Sequence, residues 1–163
     1  MFDFAPDESL ADLPKLERYR QLIAAAEALI ADESDAVANM ANIAALMWEF
    51  LPDLNWAGFY RVIGDELVLG PFVGRPACIR IPMGIGVCGA AASEQKTQLV
   101  DDVHAFPGHI ACDAVTKSEL VVPVIRDGSV LAVIDLDSPE LSRFDSEDAA
   151  GVEQLATAIC HAI

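Results

Sequence analysis

Positive charge is scarce in this 163-residue chain: ten Lys and Arg stand against 26 Asp and Glu, a formal net charge of −16. No Lys/Arg cluster offers a local exception, so the chain would repel nucleic-acid phosphates and anionic lipid head groups, and neither is expected as a partner. Apolar residues make up 53% of the chain, yet no run reaches the roughly 18 consecutive apolar residues that a membrane helix needs. The amino terminus, Met1-Phe2-Asp3-Phe4-Ala5-Pro6-Asp7-Glu8, lacks the basic start and continuous apolar core of a signal peptide, which makes the cytoplasm the expected compartment. A nucleophile-elbow motif is also missing, so hydrolysis by a Ser-His-Asp triad is not expected. Cys-x-x-Cys and His-x-x-x-His pairs are absent too. His104, His109, Cys112, Cys88 and Cys78 are metal-ligand types, but their spacing argues against a structural zinc site, and no metal is expected.

What is present fits one domain with a single substantial core. No linker or internal repeat interrupts it, and residues 1–13 read as a loosely packed extension. Leu16, Tyr19, Ile23, Ala26 and Ile30 recur at helical spacing after Pro14, and Val37, Met40, Ala41, Ala44, Trp48 and Leu51 mark a second helix between Ser34 and Pro52. From Trp56 the texture changes to short apolar runs, Trp56 to Val62, Leu67 to Val73 and Ala77 to Ile81, which predict strands. A short helix over Val87 to Ser93 follows, then strands over Gln98 to Val103, Glu119 to Ile125 and Val130 to Asp137. A last helix is expected to start at Asp145 as its cap, with Phe144 as a staple. The expectation is an α+β domain, with two amino-terminal helices and a carboxy-terminal helix against an antiparallel sheet of about six strands.

Asp135 and Asp137 are two apart on a strand and share a face, preceded on it by Leu131 and Val133. The sequence Val-Ile-Asp-Leu-Asp-Ser-Pro around them is apolar enough to bury at least one carboxylate, and a buried carboxylate needs a partner. Glu119 joins them or not according to the hairpin between the two strands. A two-residue loop at Asp127-Gly128 throws Glu119 onto the opposite face, whereas a three-residue loop Arg126-Asp127-Gly128, or an equivalent bulge, brings all three together. Pro123 signals an irregularity in that strand, and the bulged arrangement is the one expected.

Four cysteines in a reducing compartment are catalytic, redox-sensing, metal-binding or simply buried rather than a disulfide framework. Cys160 sits on the apolar face of the last helix and reads as a small packing residue. Cys78, Cys88 and Cys112 instead fall in turn-forming segments within one 35-residue stretch, the polar setting that reactive thiols require. A sulfur nucleophile beside an acid able to donate a proton suits reduction of an oxidised sulfur or cleavage of an activated electrophile.

The segments Trp56-Ala57-Gly58-Phe59-Tyr60, Leu69-Gly70-Pro71-Phe72, Ala77-Cys78-Ile79-Arg80-Ile81-Pro82, Gly86-Val87-Cys88-Gly89, Phe106-Pro107-Gly108-His109-Ile110-Ala111-Cys112-Asp113, Ser118-Glu119 and Asp135-Leu136-Asp137-Ser138-Pro139 together resemble the free methionine-(R)-sulfoxide reductases, a family of GAF-domain enzymes. The resemblance spans nearly the whole chain from the second helix onward. It implies thiol-dependent reduction of free methionine sulfoxide, with Cys112 as nucleophile, Cys78 forming a disulfide with it, and thioredoxin as the electron donor without a bound cofactor. Cys88 matches the family's remaining cysteine and is an alternative resolving thiol. Glu119 and Asp137 become candidates for protonating the substrate oxygen, with Asp135 at the substrate's ammonium and Trp56 and Tyr60 walling its S-methyl end. A homodimer is a further family-level expectation. Backbone donors of Gly84 to Gly89 offer a seat for the substrate carboxylate. The rival readings are a GAF sensor without turnover and a zinc-stabilised domain.

Overall fold

Pro14 caps the first helix of the computed structural model, which describes Leu10 and residues 13–109 and 113–163. Proline is tolerated there because the first-turn amides of a helix lack intrahelical partners. Helix α1 runs Lys15–Ile30 and α2 Ala36–Phe50, the latter capped by the Asp35 side chain, which accepts from the Ala38 amide. Strands β1 (Trp56–Ile63), β2 (Glu66–Gly74) and β3 (Arg80–Pro82) follow, then α3 (Gly86–Glu94), β4 (Gln98–Val100), a 3₁₀ turn at Val103–Ala105, β5 (Ser118–Arg126), β6 (Ser129–Ser138) and α4 (Ser146–Ile159). Most of the expected 1–13 extension lies outside the described residues. No helix among the described residues is long and apolar enough to cross a membrane.

The six strands form one antiparallel sheet in the order β3-β2-β1-β6-β5-β4. Helices α1, α2 and α4 cover one face, where Leu22, Ile43, Met47, Phe59, Leu136 and Leu155 make the larger core. The smaller α3 lies on the other face with a second apolar cluster that includes Trp56, Tyr60, Val121 and Val133. Asp145 and Asp148 cap α4 reciprocally, each side chain accepting from the other's amide, and Phe144 is buried beside that turn, as expected. Tyr19 on α1 donates its hydroxyl to Asp148 Oδ1 at 2.9 Å, tying the first helix to the last.

The helix faces differ in detail from the sequence reading. Leu22 rather than Leu16 is buried on α1, and Ile43, Met47 and Phe50 rather than Val37 and Trp48 on α2. Both helices carry apolar residues nearly all round, so spacing alone allows several stripes; packing against the sheet selects one.

The hairpin between β5 and β6 decides the site. Arg126 pairs with Ser129, so the loop is the two-residue Asp127-Gly128, with φ of 52° and 77°. That left-handed pair matches the twist of the strands. The three-residue loop is thus not formed, but a bulge supplies its equivalent: Ile125 pairs with Val130 and Val124 with Ala132, leaving Leu131 as the extra residue. The bulge flips the side-chain alternation beyond it. Val130, not Leu131, therefore packs with Val133 in the α3-side cluster, and Glu119 faces Asp137 across the ladder.

Candidate functional site

Three strands present the site in cross-strand rows. Trp56, Asp137 and Glu119 pair along one row, and Gly58, Asp135 and Val121 along the next. Gly58 has no room for a side chain, since a Cβ there would lie 2.4 Å from Phe72 Cβ. The space goes to aromatic rings: Trp56 stacks on Phe72 at 5.2 Å and on Tyr60 at 5.8 Å between centroids. Both aromatics also hold the segment that carries Cys78. Trp56 Nε1 donates to the Arg75 carbonyl at 3.2 Å, and the Tyr60 hydroxyl donates to the Cys78 carbonyl at 3.0 Å.

These side chains line a pocket that opens to solvent. Trp56, Tyr60, Cys88, Glu119, Asp135 and Asp137 all contribute to its wall. Cys88 sits in the first turn of α3, its Sγ 3.9 Å from Glu119 Oε1. Cys88 and Cys160 are free thiols, whereas Cys78 is disulfide-bonded. Cys112, the expected nucleophile, lies outside the described residues; His109 and Asp113 on either side of its segment line the cavity. Cys160 packs against the helical core on the opposite face of the sheet and donates to the Thr157 carbonyl. His104 and His109 meet edge to face at 6.3 Å between centroids, and burial, aided by His104, lowers the basicity of His109.

Protons are held tightly here. Burial, then the neighbouring Asp135 and Asp137 charges, push the Glu119 carboxyl well above the usual carboxylate range. Burial, then Asp135 and Asp113, do the same to Asp137. Burial lifts Asp135 to about 7, against the opposing effect of the neighbouring Cys88 and Glu119 side chains. Cys88 is driven up by burial and then by Asp135 and Glu119, so it rests as a thiol. Close carboxyls that cannot all ionise leave at least one as an acid able to donate at neutral pH.

Some residues of the site escaped the sequence reading. Asn55 donates from Nδ2 to Thr116 Oγ1 at 2.9 Å and to Asp113 Oδ2 at 3.4 Å, while its backbone amide donates to the Asp137 carbonyl. It fastens the 113–116 segment to the end of β6. Phe72 backs Trp56. Asn55 has no local signal, and Phe72 stands only within a family-like segment without a role, because only strand pairing brings them near the carboxyls. The Gly84–Gly89 seat is narrower than expected: the Gly84 and Ile85 amides already donate to the Gly89 and Pro82 carbonyls. The first turn of α3 from Gly86 onward is the part that carries no side-chain cap.

A metal could be held by a different set from the His/Cys group considered above. Cys88 Sγ and one carboxylate oxygen each of Glu119 and Asp135 lie within 4.8 Å of one another.

The sequence pattern of the GAF domain matches residues 35–163. The free methionine-R-sulfoxide reductase of Escherichia coli is 48% identical over 141 residues, 86% of each chain. That of Saccharomyces cerevisiae is 45% identical over 157 residues, 91% of this chain and 87% of the other. The solved structure of the Neisseria meningitidis free methionine-R-sulfoxide reductase in complex with its substrate superimposes with a TM-score of 0.86 at 42% identity, covering 99% of this chain and 93% of that one. The chain belongs to the free methionine-R-sulfoxide reductase family of GAF-domain proteins.

Proposed function

We propose that this chain reduces free L-methionine-(R)-sulfoxide to methionine. The observation that carries the reading is the carboxyl trio of buried Glu119 and Asp135 with half-buried Asp137, walled by Trp56 and Tyr60 beside the cysteine-bearing segments. The acidic floor suits an ammonium, and a carboxyl kept protonated suits the negative oxygen of a sulfoxide. In the proposed reaction the Cys112 thiolate attacks the sulfoxide sulfur while Glu119 or Asp137 protonates the oxygen. The substrate sulfur gains two electrons and leaves as a thioether, and Cys112 loses two and keeps the oxygen as a sulfenic acid. Cys78 then displaces water to form a disulfide, with Cys88 as the alternative resolving thiol. The dithiol of thioredoxin restores both cysteines by exchange, itself becoming a disulfide.

Asp135 at the substrate ammonium, the α3 start at its carboxylate and the aromatic rings at its S-methyl group complete the placement. A NADPH-coupled assay with thioredoxin, thioredoxin reductase and free methionine-R-sulfoxide tests the activity. Binding without turnover would leave a sensor instead. Cys112→Ser should abolish methionine release even in a single turnover, whereas Cys78→Ser should release about one equivalent before recycling slows. Normal turnover by Cys112→Ser would remove it as the nucleophile.

A further inference from the structure

The buried group Cys88, Glu119 and Asp135 has a ligand chemistry of its own, apart from any amino acid. All three side chains are at most 6% exposed, and they come from three regular elements, α3, β5 and β6, which fix their backbones in advance. Their ligand atoms lie within 4.8 Å of one another. A tetrahedral zinc-type ion with metal–sulfur and metal–oxygen bonds of ~2.3 and ~2.1 Å sets ligand-to-ligand edges of ~3.4–3.6 Å. Cys88 Sγ and Glu119 Oε1, at 3.9 Å, need to close by only a few tenths of an ångström.

A second observation points the same way. Asp135 Oδ1 is buried and has no hydrogen-bond partner, a costly state that a bound cation relieves. No Lys or Arg competes for the group: among the described residues, Arg75 is the one Lys or Arg lining the cavity, and it is 73% exposed, 4.0 Å from Asp113. A thiolate with two carboxylates favours a soft or borderline ion over magnesium or calcium.

We propose that Cys88, Glu119 and Asp135 form a binding site for a divalent cation of the zinc class, with water or a further ligand in the fourth position. Cys88 releases its thiol proton to solvent as the metal–sulfur bond forms. The cation takes the ground assigned above to the substrate ammonium, so metal and substrate exclude each other. That exclusion rests on the proposed function, whereas cation binding itself does not.

The test is a titration of the full chain with Cd²⁺ after chelator treatment and without reductant, so that Cys78 stays disulfide-bonded as in this structure. The expected result is an ultraviolet thiolate-to-cadmium band that saturates at one equivalent, disappears in Cys88→Ser and persists in Cys160→Ser. Asp135→Asn should keep the band and weaken affinity at least about tenfold. Absence of the band, or its survival in Cys88→Ser, overturns the site; unchanged affinity in Asp135→Asn also overturns it. Circular dichroism verifies that each variant folds, and should Cys88→Ser not fold, Asp135→Asn and Cys160→Ser carry the decision. Free methionine added to the cadmium complex should bleach the band. A Cys88-dependent band indifferent to methionine keeps the cation site and removes the substrate from it.

Discussion

Asp135→Asn should make this protein more stable at pH 8 while impairing its chemistry. An aspartate titrates at ~3.9 in an unfolded chain, but burial lifts Asp135 to about 7 in the fold. Below about pH 4 both states hold the proton and the residue costs nothing. Between about 4 and 7 the folded state keeps a proton that the unfolded state has released, so stability falls as pH rises through that window. Above 7 the loss is complete and amounts to ~4 kcal/mol, of which ~1.5 kcal/mol is already present at pH 5. The asparagine side chain is close in shape and never ionises. Its advantage over aspartate should therefore grow by ~2–3 kcal/mol between pH 5 and pH 8, which for a chain of this size is a Tm difference wider by ~5–10 °C. Urea unfolding of both proteins at the two pH values, with chelator present and the disulfide state held fixed, measures it. A difference independent of pH, or a variant less stable at pH 8, would refute the burial argument. The same substitution should weaken substrate binding, the familiar exchange of stability for function at a charged site.

Two further outcomes follow from contacts around the site and the helices. Tyr60→Phe keeps the aromatic wall but releases the Cys78 carbonyl; single-turnover methionine release should stay within about twofold while disulfide formation slows about fivefold, one hydrogen bond's worth, measured by rapid-quench thiol titration. Gly151→Ala gains ~1 kcal/mol of helix propensity, but the new methyl falls 2.3 Å from Tyr19 Cγ, on a ring pinned by its hydroxyl to Asp148. The clash should win and cost ~2 kcal/mol net in urea unfolding; a more stable variant would mean that α1 slides freely over α4.

The long strands β1, β2, β5 and β6 and the last helix were legible in the sequence because their signals are local: β-rich runs cut by Gly, Pro and Asp, and an Asp145 cap after buried Phe144; the short ones were overdrawn, Ala77 to Ile81 forming a strand only at Arg80–Pro82 and Gln98 to Val103 only at Gln98–Val100, with Val103 in a 3₁₀ turn. The carboxyl trio was legible in outcome and not in route. Pro123 and the hairpin residues signalled an irregularity, and the parity that joins Glu119 to Asp137 arises from an extra Leu131 in β6 rather than from a longer loop. Both routes shift the alternation by one, which is why the expected neighbours appear although Leu131 itself does not. The buried stripes of α1 and α2 were misread because neither helix has a clean polar face. Asn55 and Phe72 escaped for another reason: each acts through partners distant in sequence, which no local window contains.

The sheet order places β1 beside β6 at the centre, so Trp56 meets Asp137 across 80 intervening positions of chain. Such non-local pairings form late, after the entropy of closing a long loop has been met. The acids meet one another in the local β5–β6 hairpin, and the aromatic wall joins them only when β1 pairs with β6. A chain that has folded only its first hairpin holds Trp56 and Tyr60 with no carboxyl opposite them, so binding chemistry and full folding arrive together, and ligand affinity becomes a direct report on completion of the sheet.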